Sequence, residues 1–128
     1  MSPRIVVVTG DGERLNVLID TLNGAGYAAS GACTFADAKR LVDRESPDLV
    51  IADERLGAFN GLHLIVVGRA RHPQMKAIVT SETRDAALEN DAKRLNIQCV
   101  VQPTEVTDWL PSVARTLDPR ERVAVRVH

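Results

Sequence analysis

Asp53 is the residue of this sequence best placed to do chemistry. It follows Leu49-Val-Ile-Ala52, an unbroken apolar run, so its carboxylate comes at the mouth of whatever sheet that run joins. Asp11, Thr80, Ser81 and Gln102 stand just after other apolar runs. Together they offer one crevice a second carboxylate, two hydroxyls and a primary amide. The plain alternative for Asp53 is a strand-end carboxylate that caps backbone amides in the loop after it. Gly10-Asp11-Gly12 suggests a different chemistry, phosphate binding by backbone amides where a helix begins. A dinucleotide fingerprint would need glycine at position 15, where Leu15 stands. It would also need an acid closing the second strand, where Cys33 and Thr34 stand. No general base, nucleophilic Ser or Cys pair or complete cofactor motif is visible, so a non-enzymatic domain is expected.

These residues must be positioned by an alternation of short apolar runs and helical patterns. Arg4-Ile-Val-Val-Val8 is the kind of continuous strand found in a parallel sheet covered on both faces. Leu15, Leu18, Ile19 and Leu22 recur on one helical face, which Gly24-Ala-Gly26 ends. A weaker strand, Ala28 to Ala32, leads to a helix opened by the capping box Thr34-x-x-Asp37, with Phe35, Ala38, Leu41 and Val42 inward. Ser46-Pro47 stops it, and Asp48 to Ala52 is the third strand. Glu54 to Gly61 reads as irregular and rich in turn formers. A helix follows over about Leu62 to Arg69, stopped by His72-Pro73. Ala77 to Thr80 is strand four. A thinly apolar helix (Leu88, Ala92, Leu95), the strand Gln98 to Val101 and a last helix with Val106, Trp109, Leu110, Val113 and Leu117 on one face complete the pattern. Asp108 is its expected N-cap, which makes Pro111 tolerable. Five strand–helix repeats predict an α/β fold, a doubly wound five-stranded parallel sheet with five helices. Its crevice lies at the carboxyl ends of the strands.

The chain has 128 residues, with 16 basic and 17 acidic side chains and a formal charge of −1. That length suits one domain, placed at residues 1–118, with 119–128 as a tail or linker carrying Arg120, Arg122 and Arg126. A near-zero charge gives no footprint for direct nucleic-acid binding. The four aromatics are too few for a base-stacking platform. No run approaches a membrane span, and the N-terminus lacks a signal-peptide pattern, so cytoplasmic localisation is expected. Cys33 and Cys99 show no metal spacing and are expected as buried, reduced thiols. His63 and His72 are expected at the surface, Arg69 and Arg71 at a solvated helix end, and Trp109 in the core.

Several segments in combination resemble the receiver domain of two-component response regulators, over residues 4–117. Pro47-Asp-Leu-Val-Ile-Ala-Asp53 resembles the strand leading into that family's phosphoacceptor. Asn60-Gly61-Leu62 resembles the motif that opens its third helix, and Gly26-Tyr27 the pair after its first. Ile78-Val-Thr80-Ser81 resembles the strand bearing its switch hydroxyl, and Val100-Val-Gln-Pro103 its Lys-Pro turn. The resemblance implies a flavodoxin-like fold of (βα)5 type. It implies that Asp53 attacks the phosphorus of a kinase phosphohistidine, breaking the P–N bond and forming an acyl phosphate. Thr80, Ser81 and Gln102 would then contact the phosphate, with Mg²⁺ held at Asp11 and Asp53. A histidine kinase or phosphotransfer protein becomes the expected partner. The output would be the face made by the fourth helix, fifth strand and fifth helix, with a homodimer through that face and an effector domain beyond the C-terminus as further expectations.

The departures are specific. The family's acidic pair falls on Thr9 and Gly10, which supply no carboxylate and weaken the expected Mg²⁺ site. Its lysine falls on the uncharged Gln102, the proline four residues after the phosphoacceptor on Gly57, and the aromatic of the fifth strand on Cys99. Each lost prepositioned charge costs several kcal/mol of transition-state stabilisation. Two readings therefore stand: a receiver phosphorylated on Asp53, and a phosphorylation-independent pseudo-receiver acting as a protein-interaction module.

Overall fold

The runs Arg4–Val8 and Leu49–Asp53 are nearly all Val, Ile, Leu and Ala, and they pair as neighbours with their apolar side chains buried on both faces. The computed structural model describes residues 2–102 and 108–117. Along the chain these form β1 (Arg4–Val8), α1 (Gly12–Gly24), β2 (Ala28–Ala32), α2 (Phe35–Glu45), β3 (Leu49–Asp53), β4 (Arg55–Leu56), β5 (Phe59–Asn60), α3 (Gly61–Arg71), β6 (Lys76–Ser81), α4 (Ala86–Arg94), β7 (Gln98–Val101) and α5 (Trp109–Leu117). The main sheet is wholly parallel, in the order β2-β1-β3-β6-β7. This is the expected doubly wound sheet with five helices. The strand order reverses between β1 and β3, so their carboxyl ends frame the crevice.

Alternation along each strand builds two cores. Val6, Val8, Val50, Ala52, Ala77 and Val79 join Val42, Leu64, Ile65, Leu88 and Ala92 of α2, α3 and α4 on one face. Ile5, Val7, Leu49, Ile51 and Ile78 pack against Leu15, Leu18 and Leu22 of α1 and Trp109 and Val113 of α5 on the other. The same period of two carries Asp53 and Thr80 toward the α1 and α5 layer. They are direct register partners at the ends of β3 and β6.

Helix starts follow their side-chain chemistry. Thr34 Oγ1 accepts from the Asp37 amide at 3.2 Å, Asn60 Oδ1 from His63 at 2.7 Å, and Asp85 Oδ1 from Leu88 at 3.1 Å. Ser46 closes α2 in the left-handed region at φ 47°.

Five expectations need correction. The 54–61 stretch is a hairpin of β4 and β5, with Leu56 opposite Phe59. Gly57 begins its two-residue turn at φ 63°, where a II′ hairpin takes glycine. A proline, fixed near −65°, could not stand there. Cys33 is exposed because it stands one residue past β2, in the bend before α2, and Cys99 is only half-buried because β7 is an edge strand. Leu95 lies one residue past α4 and is 40% exposed. His72 is half-buried against Asp43, its Nε2 3.7 Å from the carboxylate. Arg69, expected to be solvated, is bound to backbone carbonyls instead. His63 is exposed as expected, its ring tilted against that of Phe35, and Trp109 is core. Pro103, Val106 and residues 118–128, with the domain boundary and tail placed there, lie outside the described residues.

Candidate functional site

Asp53 ends the central strand, and its carboxylate is the meeting point of three elements. Thr80 Oγ1, from the neighbouring strand β6, donates to Asp53 Oδ1 at 2.7 Å. Arg14 Nη1, from the first turn of α1, donates to the same oxygen at 3.0 Å. The two members of this ion pair have side chains only 20% and 17% exposed. That enclosure makes the pair less screened than a surface one. The Asp53 backbone is also crowded: a Cβ at Gly61 would collide with the Asp53 carbonyl oxygen, so glycine is required where α3 begins.

Arg14 reaches the site because Asp11 fixes the helix start. The Asp11 carboxylate accepts from the amides of Glu13 and Arg14 at 3.1 and 3.2 Å, and Thr9 Oγ1 accepts from the Asp11 amide. Asp11 therefore serves as an N-cap with its side chain exposed. The guanidinium of Arg14 also lies over the indole of Trp109, with Cζ 5.9 Å from the ring centroid, within cation–π range. Trp109 is 2% exposed and opens α5.

The remaining expected residues line one side of the carboxylate. A cavity of about 250 Å³ is bounded by Asp53, Glu54, Arg55, Thr80, Ser81, Glu82, Thr83, Asp85 and Gln102. The Ser81 hydroxyl donates to the Thr83 carbonyl at 2.7 Å rather than toward Asp53. Gln102 is brought beside Asp53 by its amide, which donates to the Ser81 carbonyl at 2.8 Å. Besides Asp53, which Arg14 pairs, the described lining holds the acidic Glu54, Glu82 and Asp85 and the basic Arg55.

The donor set does not suit Mg²⁺. That ion keeps several waters and takes one or two carboxylates in near-octahedral geometry. Thr9 and Gly10 offer none from their side chains, Asp11 is committed to α1, and a fixed cation already contacts Asp53. Among the described residues no group of three or more His, Cys, Asp or Glu could hold a metal ion.

The arrangement has clear counterparts. Residues matching over 95% of this chain and 98% of the other superpose on the CheY-like receiver domain from Methanospirillum hungatei, with a TM-score of 0.85 and 21% identity. The chemotaxis protein CheY4 of Vibrio cholerae gives 0.84 at 16% identity, covering 91% of this chain and all of that one. The chain has the fold of response-regulator receiver domains. In sequence it is similar to the alginate biosynthesis transcriptional regulatory protein AlgB of Pseudomonas aeruginosa, 25% identical over 122 residues and 94% of this chain. It spans 27% of that relative's length. No protein-family model matches the chain. Among the described residues no helix is long and apolar enough to cross a membrane.

Sequence reasoning found Asp53, Thr80 and Gln102 for this receiver-like crevice and missed Arg14. One signal was available. A cation in the first turn of a helix opposes the macrodipole, so Arg14 needs a carboxylate that only the fold can supply.

Proposed function

We propose that this chain is a receiver module of two-component signalling that acts through protein contacts without a phosphoryl group. One observation carries the reading: Asp53 Oδ1 already accepts from Arg14 at 3.0 Å and from Thr80 at 2.7 Å. The charge of the carboxylate is already paired, and the hydroxyl that would follow the phosphoryl group is already drawn to it. With Asp53 paired to Arg14, the described lining still sets Glu54, Glu82 and Asp85 against Arg55 alone, and this acidic excess repels an approaching anionic donor. A signalling module rather than an enzyme is part of the same reading. Its contact face is α4, β7 and α5. Leu95 and Val101 are 40% and 45% exposed there, and β7 is the free edge of the sheet, suited to a second copy or to an effector domain.

The second reading is phosphorylation of Asp53 by a histidine kinase or a phosphotransfer protein. It is favoured by the position of Asp53 at the carboxyl end of the central strand, on a cavity shared with Thr80 and Gln102. Intact-mass measurement after incubation with acetyl phosphate, with and without Mg²⁺, separates the two. The contact-only reading expects no phosphoryl adduct. An adduct that disappears in Asp53→Ala would replace it with the second.

A further inference from the structure

Arg14 makes two contacts that nothing in the receiver resemblance assigns. One arm of its guanidinium donates to Asp53 Oδ1 at 3.0 Å, and its Cζ lies over the Trp109 ring, 5.9 Å from the centroid. The first contact ends at the central strand and the second at the opening residue of α5. The contacts thus join α1 to β3 and to α5 through one charged side chain. We infer that Arg14 is the resident cation of the site: it neutralises Asp53 where a divalent metal would otherwise be needed, and it couples that carboxylate to α5 through Trp109.

The physical case rests on charge and enclosure. Asp53 is only 17% exposed, and a carboxylate so enclosed requires a partner. Neither Thr9 nor Gly10 can help to hold a metal there, and Asp11 is spent as a helix cap. A guanidinium is always protonated and needs no uptake from solution. It also stacks on an aromatic face while one arm hydrogen-bonds, which a hydrated metal ion cannot do. The position of Trp109 is thus tied to Asp53 through one side chain. Arg14 is a positioning residue for both.

The inference deepens the contact-only reading and has a separate test, because Trp109 is the single tryptophan of the chain. Its fluorescence reports the coupling directly in the full chain. Asp53→Asn leaves Arg14 an acceptor but removes the charge that holds it, and is expected to shift Trp109 emission to the red. Arg14→Gln is expected to give the same shift, and the double variant no more than the larger single one, since both remove one interaction. Arg14→Lys keeps the charge and should restore much of the wild-type emission, which a merely structural defect would not. Circular dichroism confirms that each variant is folded. Emission unchanged in Asp53→Asn but shifted in Arg14→Gln, or shifts that add, would overturn the coupling. A saturable emission change of the wild type with Mg²⁺, lost in Asp53→Asn, would overturn the resident-cation role. Phosphoryl uptake from acetyl phosphate would remove the contact-only reading while leaving this cycle to stand or fall on its own.

Discussion

Two arginines are half-enclosed by this fold at opposite ends of the sheet, and they are held in opposite ways. Arg14, at the carboxyl end, meets a carboxylate and an indole. Arg69, near the other end, meets neutral backbone. Its Nε donates to the Met75 carbonyl at 3.2 Å, and its two terminal nitrogens to Leu95 and Asn96 at 2.5 and 3.1 Å. Carbonyls satisfy the guanidinium's donors but leave its charge uncompensated, and burial accordingly lowers the Arg69 pKa from its ordinary value. The contrast separates a staple from a contact between charges. Arg69 ties the turn after α3 to the turn after α4, at acceptors left over by helix ends. Arg14 binds a side chain whose charge can be altered, so only the carboxyl end has a group through which the state of the site can change.

The largest effect should come from cutting the staple. Arg69→Ala removes three charge-assisted hydrogen bonds and is expected to lower unfolding stability by about 3 kcal/mol, read as a lower urea midpoint. Arg69→Lys should rescue little, because one ammonium cannot span carbonyls that a planar fork reaches. A loss below about 1 kcal/mol would place Arg69 with ordinary surface cations and erase the distinction.

Arg14→Ala should come next, at about 2 kcal/mol, since it leaves an enclosed carboxylate without its partner. Asp53→Asn in the same background should recover part of that loss, because the uncompensated charge is gone. Denaturation of the two variants checks this, and no recovery would mean that the pair contributes little electrostatically.

The smallest effect sharpens the comparison through the two thiols. Cys99 lines the same groove as Arg69, and burial chiefly, with Glu89, Glu54 and Asp85 adding to it, pushes its thiol pKa up. Less thiolate is then present at neutral pH. Cys33 is exposed after β2. Iodoacetamide should therefore alkylate Cys33 before Cys99, with peptide mass mapping as the readout. Arg69→Ala should narrow the difference as the α4–β7 turn loosens. Equal rates in the wild type would contradict the burial seen at Cys99.

Much of this architecture was legible because it is periodic. The unbroken runs at Ile5–Val8 and Leu49–Ala52 announce strands covered on both faces, and Thr34 with Asp37 announces the start of α2. Asp53 and Thr80 could be placed at strand ends from the same runs. Their hydrogen bond follows from register, which a single sequence does not fix. The hairpin at β4 and β5 was hidden since two-residue strands leave no period to detect, and only the left-handed Gly57 sustains it. Cys99 misled because an apolar stretch on an edge strand looks the same in sequence as one in the middle of the sheet, and Cys33 because β2 ends one residue before it. Arg14 was hardest to see. Its partners lie 39 and 95 positions away, and only the local conflict between a cation and a helix start pointed outward.

The two side chains that donate to Asp53 Oδ1 also set a condition on assembly. Thr80 is 27 residues from Asp53 and Arg14 is 39, so each contact closes a long loop, and loop closure costs entropy before any contact repays it. The pairing of Asp53 with Thr80 needs β3 beside β6, and that with Arg14 needs β1 to have brought α1 over the sheet. A chain with only one half of the sheet formed would leave Asp53 hydrated and Trp109 unstacked. The cluster is in this sense a proofreading mark: it exists only in a molecule whose central three strands have all found their neighbours.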